Sequence, residues 1–461
     1  MRLRIAGCGS LTAVLLIGIA CAPAATPSGA GRASTPVRFS AGSALDLRMG
    51  LAHDARITAA LAQISADTIR ATDSMLVSFG TRHTMSDTLS VTRGIGAARR
   101  WIHSTLSRYS RDCGGCLRVE YDTATVVVER HRDKPAIMNV NVLAWLPGRD
   151  TSRVVVIGGH YDSCVCAAGG AMARFDTSAN APGADDDGSG TSAVIELARV
   201  FARAFPRGFD ATVVLALYSG EELGLLGSTA LAQRLHRSGY RVAAGMTDDI
   251  IGNVVADDGR VDSTSVRVFS GDPDNGPSRE LARLVWGLGA TYTPELEVVP
   301  VFRLDRVGRG GDHAPFWRLG DAGVRFTERL ENYKRQHLPT DRLEDVNFGY
   351  VARIARLNAA VVASLASAPA TPDSARARRD AASGGQYWRL TWKPVPGAHG
   401  YEVLLRATTS PTYERVIDVG ADTTYLLREQ LDDAWGAVRA VGSNGHRSIA
   451  AVVPPPTFVA R

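Results

Sequence analysis

The chain has 461 residues, 45% hydrophobic and 21% charged. That suits one large domain with a small companion and excludes a wholly disordered polypeptide. The 52 basic and 47 acidic residues leave a formal charge of +5, too small an excess to mark a nucleic-acid binder. Only Lys134, Lys334 and Lys393 are lysines, and the arginines are scattered, with no basic run interleaved with aromatics.

Two arginines, Arg2 and Arg4, precede a short apolar run over Leu11–Ala20, and small residues follow. This is the layout of a secretory signal over residues 1–20, too short to cross a bilayer as a helix. Cys21 follows Ile19-Ala20 and resembles the lipidated cysteine of bacterial lipoproteins; ordinary cleavage after Ala22-Pro23-Ala24 is the alternative. The expected location is outside the cytoplasm: secreted, periplasmic, or attached to a membrane through a lipidated Cys21 only. Residues 21–44, rich in Ala, Pro, Ser, Gly and Thr, read as a flexible tether.

From about Leu45 a helical spacing begins, with Leu61, Ile64, Thr68 and Ile69 on it. A second helix is predicted over residues 94–109, then strands over 117–128 and 139–146. An alternation follows. Strands are predicted at 153–159, 211–218, 242–251, 266–270, 298–302 and 322–327. Helices are predicted at 189–204, 226–237, 277–288, near 313–319 and at 350–366. Such alternation predicts an α/β fold, with a mixed, mostly parallel sheet covered by helices on both faces. The near-continuous apolar runs at 153–159 and 211–218 predict central strands.

Residues 367–385 read as a linker by composition. From residue 386 short strands alternate with Gly, Pro, Asn and Asp turns, which predicts a small all-β sandwich over 386–461. Leu390-Thr391-Trp392, Gly400-Tyr401-Glu402-Val403 and the stretch from Ala437 to Val441 resemble a fibronectin type III module. Such modules serve as spacers or binding units, and this one carries no evident chemistry.

Besides Cys8 and Cys21, four cysteines remain: Cys113, Cys116, Cys164 and Cys166. Disulfides or free thiols are the expectation for an exported chain, with a four-thiolate zinc site as the rival. Their pairing is not legible.

The acids and imidazoles that carry chemistry cluster just past predicted strand ends. His160-Tyr161-Asp162-Ser163 follows one strand and Asp185-Asp186-Asp187-Gly188 opens the next helix. Glu221-Glu222 and Asp248-Asp249 follow two more strands, and His337 comes later in Gln336-His337-Leu338-Pro339. Open α/β sheets bind ligands outside the carboxyl ends of their strands, so one edge would collect all of them. Carboxylates crowded in a dry cleft repel, and divalent metal removes the conflict; imidazole with carboxylate suits zinc. Asp162, two residues beyond His160 on an extended segment, is placed to hold the other ring nitrogen. Adjacent Glu221 and Glu222 suggest divided labour, one ligand and one base. G-x-S-x-G, H-E-x-x-H and P-loop patterns are absent.

The ordered set GHYDS, APGADDDGSGTSA, SGEELGLLGS, DDIIGN, GGDHAPF and QHLPTD resembles the di-zinc aminopeptidase family, across residues 45–366. That family includes secreted bacterial leucyl aminopeptidases, glutamate carboxypeptidases and glutaminyl cyclases. The resemblance implies two zinc ions. His160 and Asp249 would hold one, Glu222 and His337 the other, and Asp186 would bridge them. It also implies a cis Asp186–Asp187 peptide. Glu221 would be the general base for a two-zinc-bound hydroxide attacking a peptide carbonyl. Asp162, Asp187 and His313 would support the ligands without binding metal. The implied substrate is a peptide cleaved at its free amino end. Carboxypeptidase action, glutaminyl cyclisation and a metal-free binding or scaffold role are the alternatives.

Overall fold

The computed structural model describes residues 51–454 apart from 52, 167–174, 272–275, 304 and 306–309. The expectations for residues 1–44 lie outside the described residues.

The chain enters through two short helices, α1 (Ala55–Leu61) and α2 (Ala66–Ser78), not one. The break is local chemistry: the Ser65 side chain accepts from the backbone N–H of Thr68 and starts a new helix. Then come α3 (Gly94–Asp112), β1 (Arg118–Val127), β2 (Ala136–Leu146) and β3 (Asp150–His160). The remaining α/β elements are α4 (Gly190–Ala204), β4 (Ala211–Tyr218), α5 (Leu226–Arg237), β5 (Arg241–Asp248), β6 (Ser265–Phe269), α6 (Pro277–Tyr292), β7 (Glu297–Val301), α7 (Ala314–Arg318), β8 (Gly323–Glu328) and α8 (Phe348–Ser367).

Among the described residues, eight strands form one sheet in the order β1-β2-β4-β3-β5-β8-β6-β7. The centre, β4-β3-β5-β8, is parallel; β1 and β2 run against their neighbours, and β6 runs against β8 but parallel to β7. Every residue of β4 is buried. Its period of two divides them: Val213, Leu215 and Leu217 face one core, Val214, Ala216 and Tyr218 the other. Residues of α2, α3, α4, α6 and α8 cover the first face, and Leu231 and Leu235 of α5 with Phe316 of α7 cover the second. The continuous apolar runs thus reflect burial on both sides.

Parallel direction brings the carboxyl ends of β3, β4, β5 and β8 to one edge. Glycine lets the backbone close up there: a side chain at Gly159 would come within 2.8 Å of the Gly190 carbonyl carbon, at the start of α4. The strand expected to reach Ile251 stops at Asp248. Ile250 has a φ of 61° and donates its N–H to the Asp187 carboxylate, so the chain leaves the sheet and Asp249 turns toward the edge.

The C-terminal part is a β-sandwich in which strands of two antiparallel sheets share one core. One sheet is β13 (Thr424–Leu427), β10 (Trp388–Thr391) and β9 (Arg376–Arg379). The other is β12 (Arg415–Asp418), β11 (Ala398–Ala407), β14 (Ala434–Gly442) and β15 (Ala451–Val452). Trp388, Leu390, Val403, Leu405 and Val438 meet between them. The linker expected over 367–385 is corrected at β9, which pairs with β10 and packs Ala377 on the sandwich core. The arginines around Ala377 hid a strand inside a linker composition. The sandwich rests on α6, where Tyr413 donates to the buried Glu280 carboxylate at 2.9 Å and Arg283 to the Pro411 carbonyl at 2.7 Å.

Leu215 lies fully buried in β4. Leu215→Ala is expected to lower unfolding stability by about 2–5 kcal/mol. Denaturant titration measures it, and a loss well under that range would mean the site collapses around the missing atoms.

Candidate metal centre

His160 ends β3. Its Nδ1 lies 3.2 Å from the Asp162 carbonyl oxygen. A carbonyl only accepts, so Nδ1 carries a proton and Nε2 is the nitrogen turned toward the cluster. Nε2 lies 3.2 Å from Asp186 Oδ1 and 3.9 Å from Asp249 Oδ1. On the other side, Asp186 Oδ2 lies 3.0 Å from His337 Nε2, which is 3.3 Å from Glu222 Oε2. Asp186 therefore stands between two imidazoles, one on each carboxylate oxygen.

Two groups of donor atoms result: His160, Asp186 and Asp249 in one, Cys164, Glu222 and His337 in the other. Within each group the donor atoms lie within 4.8 Å of one another. All but His337 are buried. The five residues singled out for metal meet here, drawn from the ends of β3, β4 and β5 and two loops.

Their charges are interdependent. Burial opposes a charge on His160, but Asp162, Asp186 and Asp249 outweigh it and raise its pKa well above the ordinary value. Glu222 in front of His337 pushes that imidazole up to about 10, against its burial. Burial lifts Glu222 to about 7. Burial also raises Glu221, with Asp249, Glu222 and Asp312 adding to it. The cluster thus takes up positive charge wherever it can. Imidazole nitrogens and carboxylate oxygens converging in this way fit divalent zinc, which would replace the protons.

The supporting residues act through the backbone. Asp162 accepts from Thr84 Oγ1 at 2.8 Å and from the N–H groups of Glu221 and Glu222 at 3.3 and 3.4 Å. It thereby fixes both glutamates, while its backbone carbonyl holds the His160 ring. The Asp186–Asp187 peptide is cis. Asp187 accepts from the N–H groups of His160, Gly190 and Ile250, tying β3, α4 and the turn after β5 together. Among the described residues no hydrogen bond or ion pair engages the Glu221 carboxylate. His313 stands beside Asp249 across Gly311, but among the described residues its Nδ1 has no partner, and burial drives its pKa down to about 3. Among the described residues it is a neutral neighbour without a hydrogen bond to a candidate ligand.

Three contributors escaped the sequence reading. Asp341 accepts from the N–H groups of Asp185 and Asp186 at 2.9 and 3.0 Å. It stands four residues after His337, so a single loop supplies one donor and anchors another. Arg325, in β8, pairs with Asp249 at 3.2 Å and with Asp305 at 3.0 Å. Arg82 is wholly buried and donates to the carbonyls of Tyr161, Pro182 and Gly183 at 2.8, 2.5 and 2.8 Å. It pins together the chain leaving His160 and the chain entering Asp186. QHLPTD contains Asp341, but nothing local marks its role. Arg82 and Arg325 gave no signal, since an arginine reads as surface unless its partners are known.

The cysteines pair as Cys113–Cys116 and Cys164–Cys166. The four-thiolate alternative is not formed.

The fold is similar to that of zinc exopeptidases, and this donor set suits a metallohydrolase. Residues 141–362 match Peptidase family M28. A probable zinc metalloprotease of Pyrenophora tritici-repentis is 36% identical over 435 residues, 87% of each chain. One of Pyricularia oryzae is 35% identical over 438 residues, 87% of this chain and 85% of that one. Among solved structures, the LapA aminopeptidase of Legionella pneumophila superposes with a TM-score of 0.54 at 23% identity, over 69% of this chain and 76% of that one. A glutaminyl cyclase of Porphyromonas gingivalis does so at 0.50 and 19%, over 65% and 98%. These two share the fold. The chain belongs to peptidase family M28.

Arg82→Met is expected to weaken zinc binding on the order of tenfold to a hundredfold, as for other residues that orient ligands. Arg82→Lys should recover part of it. Competition with a chromophoric chelator, on protein whose circular dichroism matches wild type, reads the effect. Unchanged affinity in both would show that the clamp does not set the site.

Proposed function

We propose that this protein is an exported aminopeptidase that holds two zinc ions. His160 and Asp249 would hold one, Glu222 and His337 the other, and Asp186 would join both. The placement of Asp186 between His160 and His337 carries this reading, because a carboxylate with one oxygen on each side is what a shared ligand requires. Retention of all five donors supports a peptidase over a metal-free scaffold.

Bound zinc would supply Lewis acidity to water and to the scissile carbonyl oxygen. Glu221 takes the proton from the attacking water and delivers it to the leaving amine nitrogen. Its backbone is held by Asp162, and its carboxylate has no competing hydrogen bond among the described residues. Asp162 keeps the His160 ring turned with Nε2 toward the metal position, and Arg325 holds Asp249. A peptide is the substrate; nothing in the charge pattern calls for nucleic acid.

Export is supported by the signal layout of residues 1–20 and by two disulfides, which persist outside the cytoplasm. Attachment through a lipidated Cys21 belongs to the same reading. No described helix is long and apolar enough to cross a membrane. The C-terminal sandwich, by its motifs, is a fibronectin type III module acting as spacer or binding unit.

Glu221→Gln should keep zinc, counted by elemental analysis, while turnover falls by about 10²–10⁴. Full activity in that variant would remove Glu221 from the role of base. A panel of aminoacyl chromogenic peptides, each with and without an N-acetyl group, tests the end specificity. Cleavage of only the free-amine forms is expected, and cleavage of only the blocked forms would point to a carboxypeptidase instead.

A further inference from the structure

The second donor group contains a residue that the proposed mechanism does not use. Cys164 Sγ, a Glu222 carboxylate oxygen and a His337 ring nitrogen lie within 4.8 Å of one another. Cys166 Sγ lies 4.0 Å from Glu222 Oε2, so both sulfurs of the pair face the same carboxylate. Cys164 is buried, and the chain just before it is held firmly. Ser163 Oγ accepts from the Arg82 N–H and donates to the Ala181 carbonyl.

The Cys164–Cys166 bridge encloses one residue, Val165. A loop that short constrains the unfolded chain far less than a long-range bridge, so bracing the fold does not explain it. Its distinguishing feature is where it stands.

We propose that Cys164 is a redox-gated metal ligand. Locked in the disulfide, its sulfur leaves the metal beside Glu222 and His337 open. Reduced, it becomes a further donor to that metal and closes the site. The inference rests on the zinc reading above. Its logic is coordination number: Cys164, Glu222, His337 and Asp186 make four protein ligands, the count of closed structural zinc sites, whereas catalytic sites keep a position free. Thiolate is also a strong zinc donor. In a reducing compartment the chain would carry zinc in an inert form. Oxidation after export would open it.

The redox step needs a dithiol. One of its thiolates attacks a sulfur of the bridge, and its second thiol resolves the mixed disulfide. The reductant leaves as a cyclic disulfide, having supplied two electrons and two protons, and Cys164 and Cys166 are released as thiols. Cys164 then gives its proton to solvent as its sulfur bonds the metal. A disulfide oxidant reverses the sequence.

The test uses the full chain loaded with cobalt(II) in place of zinc, before and after treatment with dithiothreitol and anaerobic desalting. Oxidised wild type should show no thiolate-to-cobalt charge-transfer band. Reduced wild type should gain one, and Cys166→Ser should show it without reductant. Cys164→Ser, which keeps Cys113 and Cys116, should take up cobalt without the band under either condition. Zinc should also shield Cys164 from alkylation in the reduced protein, read by peptide mass spectrometry. Cobalt bound without a band in both reduced wild type and Cys166→Ser overturns the proposal and leaves the peptidase reading standing. Failure of the oxidised protein to bind zinc or cobalt at all overturns both.

Discussion

Negative charge confined at the carboxyl edge of a buried sheet is the constraint to which everything near the site responds. Asp162, Asp185, Asp186, Asp187, Glu222, Asp249 and Asp341 are all buried there. In a medium that screens poorly, such a cluster holds together only through cations, protons and directed N–H groups. The structure uses all three. His160 and His337 are driven toward their charged forms, Arg82 and Arg325 are drawn into the interior, and backbone N–H groups point at Asp162, Asp185, Asp187 and Asp341. Divalent metal is the economical answer to the same problem, because one ion neutralises two carboxylates and is held by directed bonds.

The division of labour follows from how each carboxylate is spent. Asp185, Asp187 and Asp341 are used up on backbone N–H groups, so they fix loops. Asp186, Glu222 and Asp249 have oxygens directed at imidazole nitrogens or at the space between them, so they remain as donors. Glu221 is engaged by neither. A cluster that looks redundant as a list of acids separates into anchors, ligands and a base once the hydrogen bonds are traced.

Much of this was legible in the chain. The apolar runs at 153–159 and 211–218 required burial on both faces, and they are the adjacent central strands β3 and β4. The motifs after those strands had to share an edge, because parallel strands end together. The failures are also physical. The apolar Ile250 and Ile251 extend the strand's sequence pattern past its true end at Asp248, because Ile250 turns the chain through a positive φ. The strand Arg376–Arg379 reads as linker because its arginines face outward on a strand of four residues. Arg82, Arg325 and Asp341 carried no local pattern at all, since their partners lie elsewhere in the sequence.

The sequence by itself determined which residue types reach the edge and in what order, because strand burial and strand direction are local consequences of apolar runs and of the helices between them. It also limited the chemistry to imidazole, carboxylate and thiol. Only the tertiary structure decided that Asp186 faces two histidines, that Asp341 rather than a nearer acid anchors it, and that Cys164 pairs with Cys166 beside Glu222. Those outcomes depend on distances of a few ångströms between segments as far apart as residues 82, 186 and 341, and such distances are set by the packing of the whole sheet and its helices.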